Sequence, residues 1–254
     1  NGNAVKINAI LSLPRLGFND AWGCVTDALQ PFGIPVSRFF GVFWGQCMQR
    51  ALLDATKTDT DWLLCIDYDS VFTPQHVDAL LSTFSDNPHM DALASMQVKR
   101  ASDSPLLFRR GDTQITFDKG TPFRVDTAHF GLTVIRVDKL RKLSKPLFHS
   151  QPDPNGEWGD GRVDEDIYFW NKWFEEGNNV YVDPRIRIGH LELMVTEFKD
   201  DFSVQHTNVS KWREREYGAG GNGFCLRAQP LPEGPDSPAA TRGSGDLAQT
   251  RASA

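Results

Sequence analysis

The chain has 254 residues, a formal net charge of −6 and a hydrophobic fraction of 40%, which is enough apolar sequence to bury the core of one large α/β domain. The acidic balance argues against a general polyanion-binding protein, although a local basic groove is compatible with it. No apolar run approaches the roughly 20 residues that span a bilayer, and no signal-like segment follows Asn1, so we expect a soluble, cytoplasmic protein without a membrane span. The four cysteines form no CxxC pair and are expected to be free thiols in a reducing compartment.

Strand-like and helix-like patterns alternate through the first hundred residues. Strands are predicted at 5–13, 34–43, 62–66 and 92–98, and helices at 19–30, at 45–56 and from Pro74 onward, with Asn19 and Thr73 as N-caps. This alternation is typical of βαβ units and predicts a mostly parallel sheet flanked by helices. Ligands of such sheets bind beyond the carboxyl ends of the strands, so the residues after each strand are the first candidates for a site.

The second half of the chain has a more mixed pattern. A strand at 126–137 is predicted to pass into a short helix at 138–143, a helix with an acidic first turn occupies 164–177, and strands at 179–190 end at His190. From residue 228 onward the sequence is rich in Pro, Gly, Ser and Ala and lacks aromatic residues, which is typical of a flexible tail. We therefore predict one folded domain at 1–217, followed by a Gly/Pro-rich flap and flexible tail at 218–254.

The segment "WLLCIDYDSVF", residues 62–72, is an apolar strand that ends in two aspartates. Asp67 and Asp69 are two positions apart, so in an extended conformation their side chains point the same way. Two like charges side by side repel, and desolvation increases the cost, so we expect a cation between them. A DxD pair alone is a weak signal, because aspartate is common at strand ends and in turns.

One interpretation of this segment is a phosphatase. "LLCIDYDSV" resembles the first motif of the haloacid dehalogenase family, in which Asp67 would be the nucleophile and Asp69 the acid/base, with magnesium bound beside them. The later motifs of that family are hard to find, since no lysine lies in a suitable context and the acidic pair Asp200-Asp201 does not follow an apolar strand. The motif also usually lies near the start of the chain, whereas a long structured stretch precedes it here.

Another interpretation is that the two carboxylates bind a divalent cation that bridges to a nucleotide diphosphate. Mg²⁺ and Mn²⁺ prefer oxygen ligands, and their sites often combine one or two carboxylates with substrate phosphates. Such a cation neutralises a departing diphosphate, which is the costly part of breaking a sugar–phosphate bond.

Three further segments resemble those of GT-A fold glycosyltransferases, close to the large inverting family 2 and to short, stand-alone phage-encoded members. "QCMQRALLDA" resembles the arginine-bearing helix of that family and places Arg50 seventeen residues before Asp67. "TAHFGLTVIRVDKLRKL" resembles the segment that runs past the acceptor pocket, with Gly131 retained and His129 where a first glycine is usual. "DEDIYFWNKWFEEGNNVYVDPRIRIGH" resembles the helix and strands that begin with an acidic pair and close on a histidine.

The resemblance covers roughly residues 5–190 and implies an α/β chain with the GT-A fold, a single domain with a mixed, mostly parallel sheet. The implied activity is metal-dependent transfer of a sugar from a nucleotide-sugar to an acceptor hydroxyl, with Asp166 as the base of an inverting reaction and Glu165 beside it. The other implied site residues are Asp67, Asp69 and His190 for Mn²⁺ or Mg²⁺, Arg15, Arg50, Asp67 and Tyr68 for the nucleotide-sugar, and His129, Gly131 and Trp158 for the acceptor.

Ordinary structural roles also fit several of these residues. Asp166 is placed where the dipole of a helix favours a carboxylate in any protein. His190 at a strand end and Arg50 on a helix surface are common without any ligand. The order and spacing of the segments, rather than any single residue, carry the functional interpretation.

The implied donor is a nucleotide-sugar, with a UDP-sugar expected, and the acceptor stays open between two classes. A glycan or other small hydroxyl compound is the general expectation. The likeness to phage enzymes suggests instead a hydroxymethylated pyrimidine in phage DNA, reached in the host cytoplasm, which requires a positively charged channel and a flipped base. Basic residues of the middle segment either line such a channel or form a solvated surface; they are Arg100, Arg109, Arg110, Lys119 and Arg124.

Overall fold

The computed structural model describes residues 4–100, 104–108, 118–159 and 161–217. The chain divides into a compact unit, Asn1–Lys211, and a second unit, Trp212–Ala254, of which 212–217 are described as the end of a helix. The predicted flap and tail at 218–254 lie outside the described residues, as do Arg109 and Arg110. The predicted domain division therefore stays a prediction.

The strands and helices follow the chain order that the sequence predicts for the first hundred residues. The strands are β1 (Ile7–Leu13), β2 (Val36–Phe40), β3 (Trp62–Ile66), β4 (Ser70–Val71), β5 (Ala92–Met96), β6 (Leu107–Phe108), β7 (Phe123–Val125), β8 (Thr127–Ala128), β9 (Thr133–Arg136), β10 (Val180–Arg187), β11 (Gly189–His190), β12 (Met194–Phe198) and β13 (Val204–Asn208). The helices are α1 (Asn19–Leu29), α2 (Trp44–Ala55), α3 (Pro74–Asp86), α4 (Val137–Leu140), α5 (Glu165–Glu175) and α6 (Val209–Tyr217), with a 3₁₀ turn at Gln30–Phe32. No helix in the described ranges is long and apolar enough to cross a membrane.

Seven of the described strands form a central sheet in the order β2-β1-β3-β9-β5-β10-β7. Five of them run in the same direction, whereas β9 and β7 are antiparallel to their neighbours. Strand β3 lies inside the sheet, and all of its residues are buried, as expected for a strand that is covered by packing on both faces. The sheet is thus mixed and mostly parallel, as predicted, and the carboxyl end of β3 leads directly into Asp67.

Two hydrophobic cores lie on the two faces of the sheet. Alternation along β3 sends Leu63 and Cys65 into one core and Leu64 and Ile66 into the other. The first core contains apolar residues of α2 and α5, and the second contains those of α1 and α3. The first core fixes the positions at which α2 and α5 begin, beside the carboxyl end of β3.

The predicted N-caps of two helices and the predicted free cysteines have different outcomes in the structure. Thr73 caps α3 in a capping box, in which the backbone N–H of Thr73 donates to Nδ1 of His76 at 3.1 Å. Asn19 was predicted as the N-cap of α1, and this is wrong, because Phe18 is the extended cap residue and Asn19 is already helical. Cys24, Cys47 and Cys65 are free thiols, as predicted, whereas Cys225 lies outside the described residues.

The predicted strand at 126–137 is interrupted between β8 and β9. The hydroxyl of Thr133 donates to the carbonyl of His129 at 2.7 Å, and the N–H of Gly131 donates to Nδ1 of His129 at 2.9 Å. These side-chain hydrogen bonds replace ladder bonds, so the chain turns here instead of continuing as a strand. The turn carries His129 and Gly131 to the edge of the sheet where Asp67 and Asp69 lie.

Candidate active site

A cavity of about 310 Å³ lies beyond the carboxyl end of β3. Parallel strands deliver the residues that follow them to one edge of the sheet, which explains why distant parts of the chain meet there. The residues of the predicted site that line this cavity are Asp67, Tyr68, Asp69, His129, Glu165, Asp166 and His190. The structure therefore brings together both predicted acidic groups and the closing histidine.

Asp69 and His190 are held side by side by a short antiparallel strand pair. In the β4–β11 pairing, His190 lies opposite Ser70, and its Nε2 is 3.2 Å from Oδ2 of Asp69. Nδ1 of His190 is 2.9 Å from the carbonyl oxygen of Val98. A carbonyl oxygen only accepts, so Nδ1 carries a proton and the neutral ring directs the Nε2 lone pair at Asp69.

This arrangement of His190 needs a positive charge between the two groups. A lone pair and a carboxylate oxygen repel at that distance unless a proton or a cation lies between them. Burial lowers the pKa of His190, but its hydrogen bonds to Asp69 and Val98 outweigh burial, and the net shift is upward. A histidine whose other nitrogen donates to a backbone carbonyl is also the usual form of a metal ligand.

The donor set fits a divalent cation only in part. Asp69 offers an oxygen and His190 a nitrogen, a combination that Mn²⁺ accepts. Among the described residues no group of three His, Cys, Asp or Glu side chains converges closely enough to hold a metal ion. Since Mg²⁺ and Mn²⁺ sites commonly complete their shells with substrate phosphates and water, a two-residue anchor is compatible with such a cation.

Asp67 is held by hydrogen bonds from other elements of the fold. Its Oδ1 accepts the hydroxyl of Ser12, at the end of β1, at 3.1 Å and the indole N–H of Trp44, at the start of α2, at 2.6 Å. Burial, followed by the nearby charge of Asp69, raises the pKa of Asp67 to about 7, and the two hydrogen bonds oppose that rise. A direct metal contact by Asp67 stays a prediction.

Glu165 and Asp166 begin α5 on another wall of the cavity. Oε2 of Glu165 accepts the N–H of Gly45 at 2.8 Å, and a Cβ at position 45 would collide with that carboxylate. Oδ1 of Asp166 accepts the N–H of Ile167 at 2.9 Å. Burial is the main cause that raises the pKa of Asp166, assisted by the charges of Asp164 and Glu165. Glu165 is thus tied to α2, whereas Asp166 is the stronger candidate for proton transfer.

The predicted acceptor residues do not share one environment. His129 is buried, its Nε2 donates to the carbonyl of Ser95 at 2.7 Å, and burial lowers its pKa to about 4, so it is a neutral ring with both nitrogens engaged. Gly131 is packed so closely that a Cβ would collide with Ser70 and Gln97. Trp158 is 61% exposed and is absent from the cavity lining. His129 therefore shapes the cavity wall, whereas Gly131 is not among the lining residues, and roles for Gly131 and Trp158 in acceptor binding stay predictions.

A second cleft, of about 580 Å³, adjoins the first through shared residues. Tyr68 and Arg100 line both, and Phe18 lines the second with its ring stacked on Tyr68 at a centroid distance of 6.4 Å. Arg15 lies just before the residues that line this cleft. Arg50 lines neither cleft, and its Nη1 donates to the carbonyl of Phe40 at 3.0 Å.

Seven residues that line the cavity were not assigned to the site from the sequence, and two of them, Trp44 and Arg100, contact the paired aspartates. Trp44 lines the cavity and binds Asp67, but no local pattern separates it from the other tryptophans of the chain. Arg100 lines the cavity with Nη2 at 3.1 Å from Oδ2 of Asp69. Arg100 could have been assigned to the site from the sequence, because it follows the strand at 92–98 and the residues after each parallel strand meet at one edge of the sheet.

Comparisons with known proteins concern the fold. No protein-family model matches the sequence, and no curated protein matches it. The structure is similar to A197 from STIV, with 17% identity, a TM-score of 0.50 and coverage of 79% of this chain and 93% of that one. A structure of GalNAc-T7 with UDP, GalNAc and Mn²⁺ has 12% identity, a TM-score of 0.48 and coverage of 75% of this chain and 44% of that chain.

A third similar structure is glucosyl-3-phosphoglycerate synthase from Mycobacterium tuberculosis in complex with Mn²⁺ and UDP-glucose, at 12% identity, a TM-score of 0.44, and coverage of 80% of this chain and 86% of that one. The predicted fold class, an α/β fold with a mixed and mostly parallel sheet flanked by helices, is confirmed. The candidate site lies beyond the strand ends, where ligands of such sheets bind.

Proposed function

We propose that this protein is a metal-dependent glycosyltransferase of the GT-A fold that moves a sugar from a nucleotide-sugar to an acceptor hydroxyl. The observation that carries the proposal is the single cavity in which the Asp69–His190 pair lies on one wall and Asp166 on another. A transferase of this type needs a cation anchor for the leaving diphosphate and a base for the acceptor, and this cavity contains candidates for both.

The donor is proposed to span the two adjoining clefts. The stacked rings of Phe18 and Tyr68 offer a flat apolar surface for a nucleobase or ribose, and Arg15 precedes in the chain the first residue that lines this cleft. The diphosphate then lies where the clefts meet, near Asp69 and His190, which would hold Mn²⁺ or Mg²⁺. That cation supplies Lewis-acid stabilisation of the leaving diphosphate. The proposed nucleobase of the donor is uracil, as the resemblance of the sequence to GT-A glycosyltransferases implies.

Asp166 is the proposed base of an inverting transfer. Its carboxylate accepts the proton of the acceptor hydroxyl as that oxygen attacks the anomeric carbon on the face opposite the diphosphate. Burial raises the pKa of Asp166, which makes the carboxylate a stronger base. Glu165 fixes the start of α5 by accepting the N–H of Gly45, and it thereby positions Asp166. The inverting outcome rests on the family resemblance.

The charge of the cavity favours a neutral acceptor. Five carboxylates line it, those of Asp67, Asp69, Asp164, Glu165 and Asp166. A DNA backbone approaching this wall would meet repulsion, whereas a glycan or small polyol carries no charge and its hydroxyls hydrogen-bond to carboxylates. We therefore propose a glycan or another small hydroxyl compound as the acceptor. Hydroxymethylated pyrimidine in phage DNA is the other candidate to assay.

The test is a transfer assay with a panel of nucleotide-sugars, Mn²⁺ and two acceptor classes, simple glycans and hydroxymethylcytosine-containing DNA. We expect release of a nucleoside diphosphate that depends on Mn²⁺ and on Asp166, with Asp166→Asn retaining donor binding. Release of phosphate from phosphomonoesters, with no response to any nucleotide-sugar, would contradict the proposal and favour the phosphatase interpretation of Asp67 and Asp69.

A further inference from the structure

Two cationic or potentially cationic groups converge on one oxygen of Asp69. Nη2 of Arg100 lies 3.1 Å and Nε2 of His190 lies 3.2 Å from the same Oδ2. The Asp69 side chain is only 4% exposed, so it offers little room for additional partners. Arg100 therefore occupies the side of Asp69 that faces the cavity, which is the side a divalent cation would use.

The guanidinium of Arg100 provides the positive charge that the paired aspartates require. Asp67 and Asp69 repel each other, and a cation beside Asp69 reduces that repulsion. A divalent cation at the same oxygen would repel the guanidinium and compete with it for the same lone pairs. Both cannot be bound closely to Asp69 Oδ2 at once, so one must leave when the other binds.

The side chain of Arg100 has room to move away from Asp69. Its side chain is 52% exposed, and it lines both clefts at the place where they meet. Nη2 is also 3.5 Å from the hydroxyl oxygen of Tyr68, which lines both clefts too. A diphosphate in this position would offer the guanidinium a second anion, and arginine binds phosphate oxygens through paired N–H donors.

We infer that Arg100 is a positioning residue that competes with the divalent cation for Asp69, so that the cation binds tightly only when a nucleoside diphosphate takes over the guanidinium. The inference rests on the proposed donor site. It predicts that Mn²⁺ and the nucleotide bind cooperatively in the wild type, because Mn²⁺ frees the guanidinium of Arg100 for the diphosphate and the diphosphate draws that guanidinium away from Asp69. Without Arg100, Mn²⁺ alone should bind well, and the cooperativity should fall.

The experiment is a titration of Mn²⁺ into the purified full chain, followed by the electron paramagnetic resonance signal of free Mn²⁺, with and without saturating nucleoside diphosphate from a panel of UDP, GDP, CDP, ADP and TDP. Arg100→Met removes the guanidinium and keeps a long side chain, whereas Arg100→Lys keeps the charge. We expect Arg100→Met to bind Mn²⁺ about 10-fold more tightly than the wild type without nucleotide, and Arg100→Lys to stay near the wild type.

Arg124→Met is the matched control, because it removes one exposed positive charge from β7, and Arg124 is not among the residues that line the cavity. It should leave Mn²⁺ affinity unchanged. Cooperative Mn²⁺ and nucleotide binding that is the same in the wild type and in Arg100→Met would overturn the inference and leave the donor site intact. Absence of Mn²⁺ binding from every variant, with or without any nucleotide, would contradict both the inference and the proposed function.

Discussion

The indole N–H of Trp44 donates to Oδ1 of Asp67 at 2.6 Å, and the next residue, Gly45, donates its backbone N–H to Glu165 at 2.8 Å. The first turn of α2 therefore binds one carboxylate from the end of β3 and another from the start of α5. These hydrogen bonds to charged groups are stronger than neutral ones, and the positive end of the helix dipole adds to the contact with Glu165. The start of α2 thus sets the distance between Asp67, which neighbours the proposed metal ligands, and Glu165, which neighbours the proposed catalytic base.

Trp44→Phe tests the bond to Asp67. The replacement removes the donor, so we expect the pKa of Asp67 to rise further and the free energy of unfolding to fall by about 1–3 kcal/mol where Asp67 is ionised. The loss should be smaller at pH 5, where Asp67 is protonated, because the indole then donates to a neutral carboxyl group and that hydrogen bond is weaker. Urea unfolding at pH 8 and pH 5 measures both values. Trp158→Phe, at an exposed position, is the control; an equal loss at the two pH values would argue against the bond's importance.

Gly45→Ala and Gly23→Ala form a matched pair of helix substitutions. Gly23 in α1 has no atom within 4 Å of an added Cβ, so alanine should stabilise the protein by up to about 1 kcal/mol through helix propensity. At Gly45 the added methyl group displaces the Glu165 carboxylate and breaks its hydrogen bond, so we expect a net loss of about 1–3 kcal/mol. Thermal or urea unfolding compares the two. Stabilisation by both substitutions would show that Glu165 is not fixed by α2.

The raised pKa of Asp67 makes the metal-free protein less stable as pH rises. The folded state holds the proton up to about pH 7, whereas the unfolded carboxyl releases it near 3.8. The folded state therefore binds more protons between these values, and the free energy of unfolding should fall across that window by about 1.4 kcal/mol for each unit of difference.

Asp67→Asn provides the comparison for this pH dependence. The amide keeps an oxygen that accepts from Trp44 and Ser12 but does not titrate. Melting curves in EDTA from pH 4 to pH 8 should show a weaker decline in the variant and a higher melting temperature than the wild type at pH 8. A variant that is less stable than the wild type at pH 8 would show that ionised Asp67 stabilises the metal-free fold.

Much of this arrangement was predictable from the sequence, for a physical reason. The apolar run at 62–66 and the acidic start of α5 are local patterns, and parallel strands carry their following residues to one edge, so the meeting of Asp67, Asp69, Asp166 and His190 could be inferred. The role of Trp44 depends on a side-chain direction that no local pattern encodes, whereas Arg100 could have been identified because it follows the strand at 92–98. The break at His129 was missed because two local side-chain hydrogen bonds cause it, one from the N–H of Gly131 to the His129 ring and one from the Thr133 hydroxyl to the His129 carbonyl, and hydrophobic periodicity does not reveal them.

Asp166→Asn should separate chemistry from binding. We expect kcat to fall by about 10²–10⁴-fold while donor binding stays near the wild type, because the base acts only on the acceptor proton. Wild-type kcat/KM should decline as pH falls through a pKa above the ordinary aspartate value of 3.8, since the protonated acid cannot accept a proton. Glu165→Gln is the comparison and should retain more activity. A wild-type-like kcat in Asp166→Asn would remove this residue from the mechanism.

The most direct test of the central claim is calorimetric titration of nucleoside diphosphates and their sugars into the wild type and Asp69→Asn, each with Mn²⁺ and with EDTA. We expect one nucleotide to bind the wild type with Mn²⁺ at least about 10-fold more tightly than with EDTA, and Asp69→Asn to abolish this difference. Binding that is independent of both Mn²⁺ and Asp69, or no binding by any nucleotide, would contradict the assignment of this cavity as a nucleotide-sugar site.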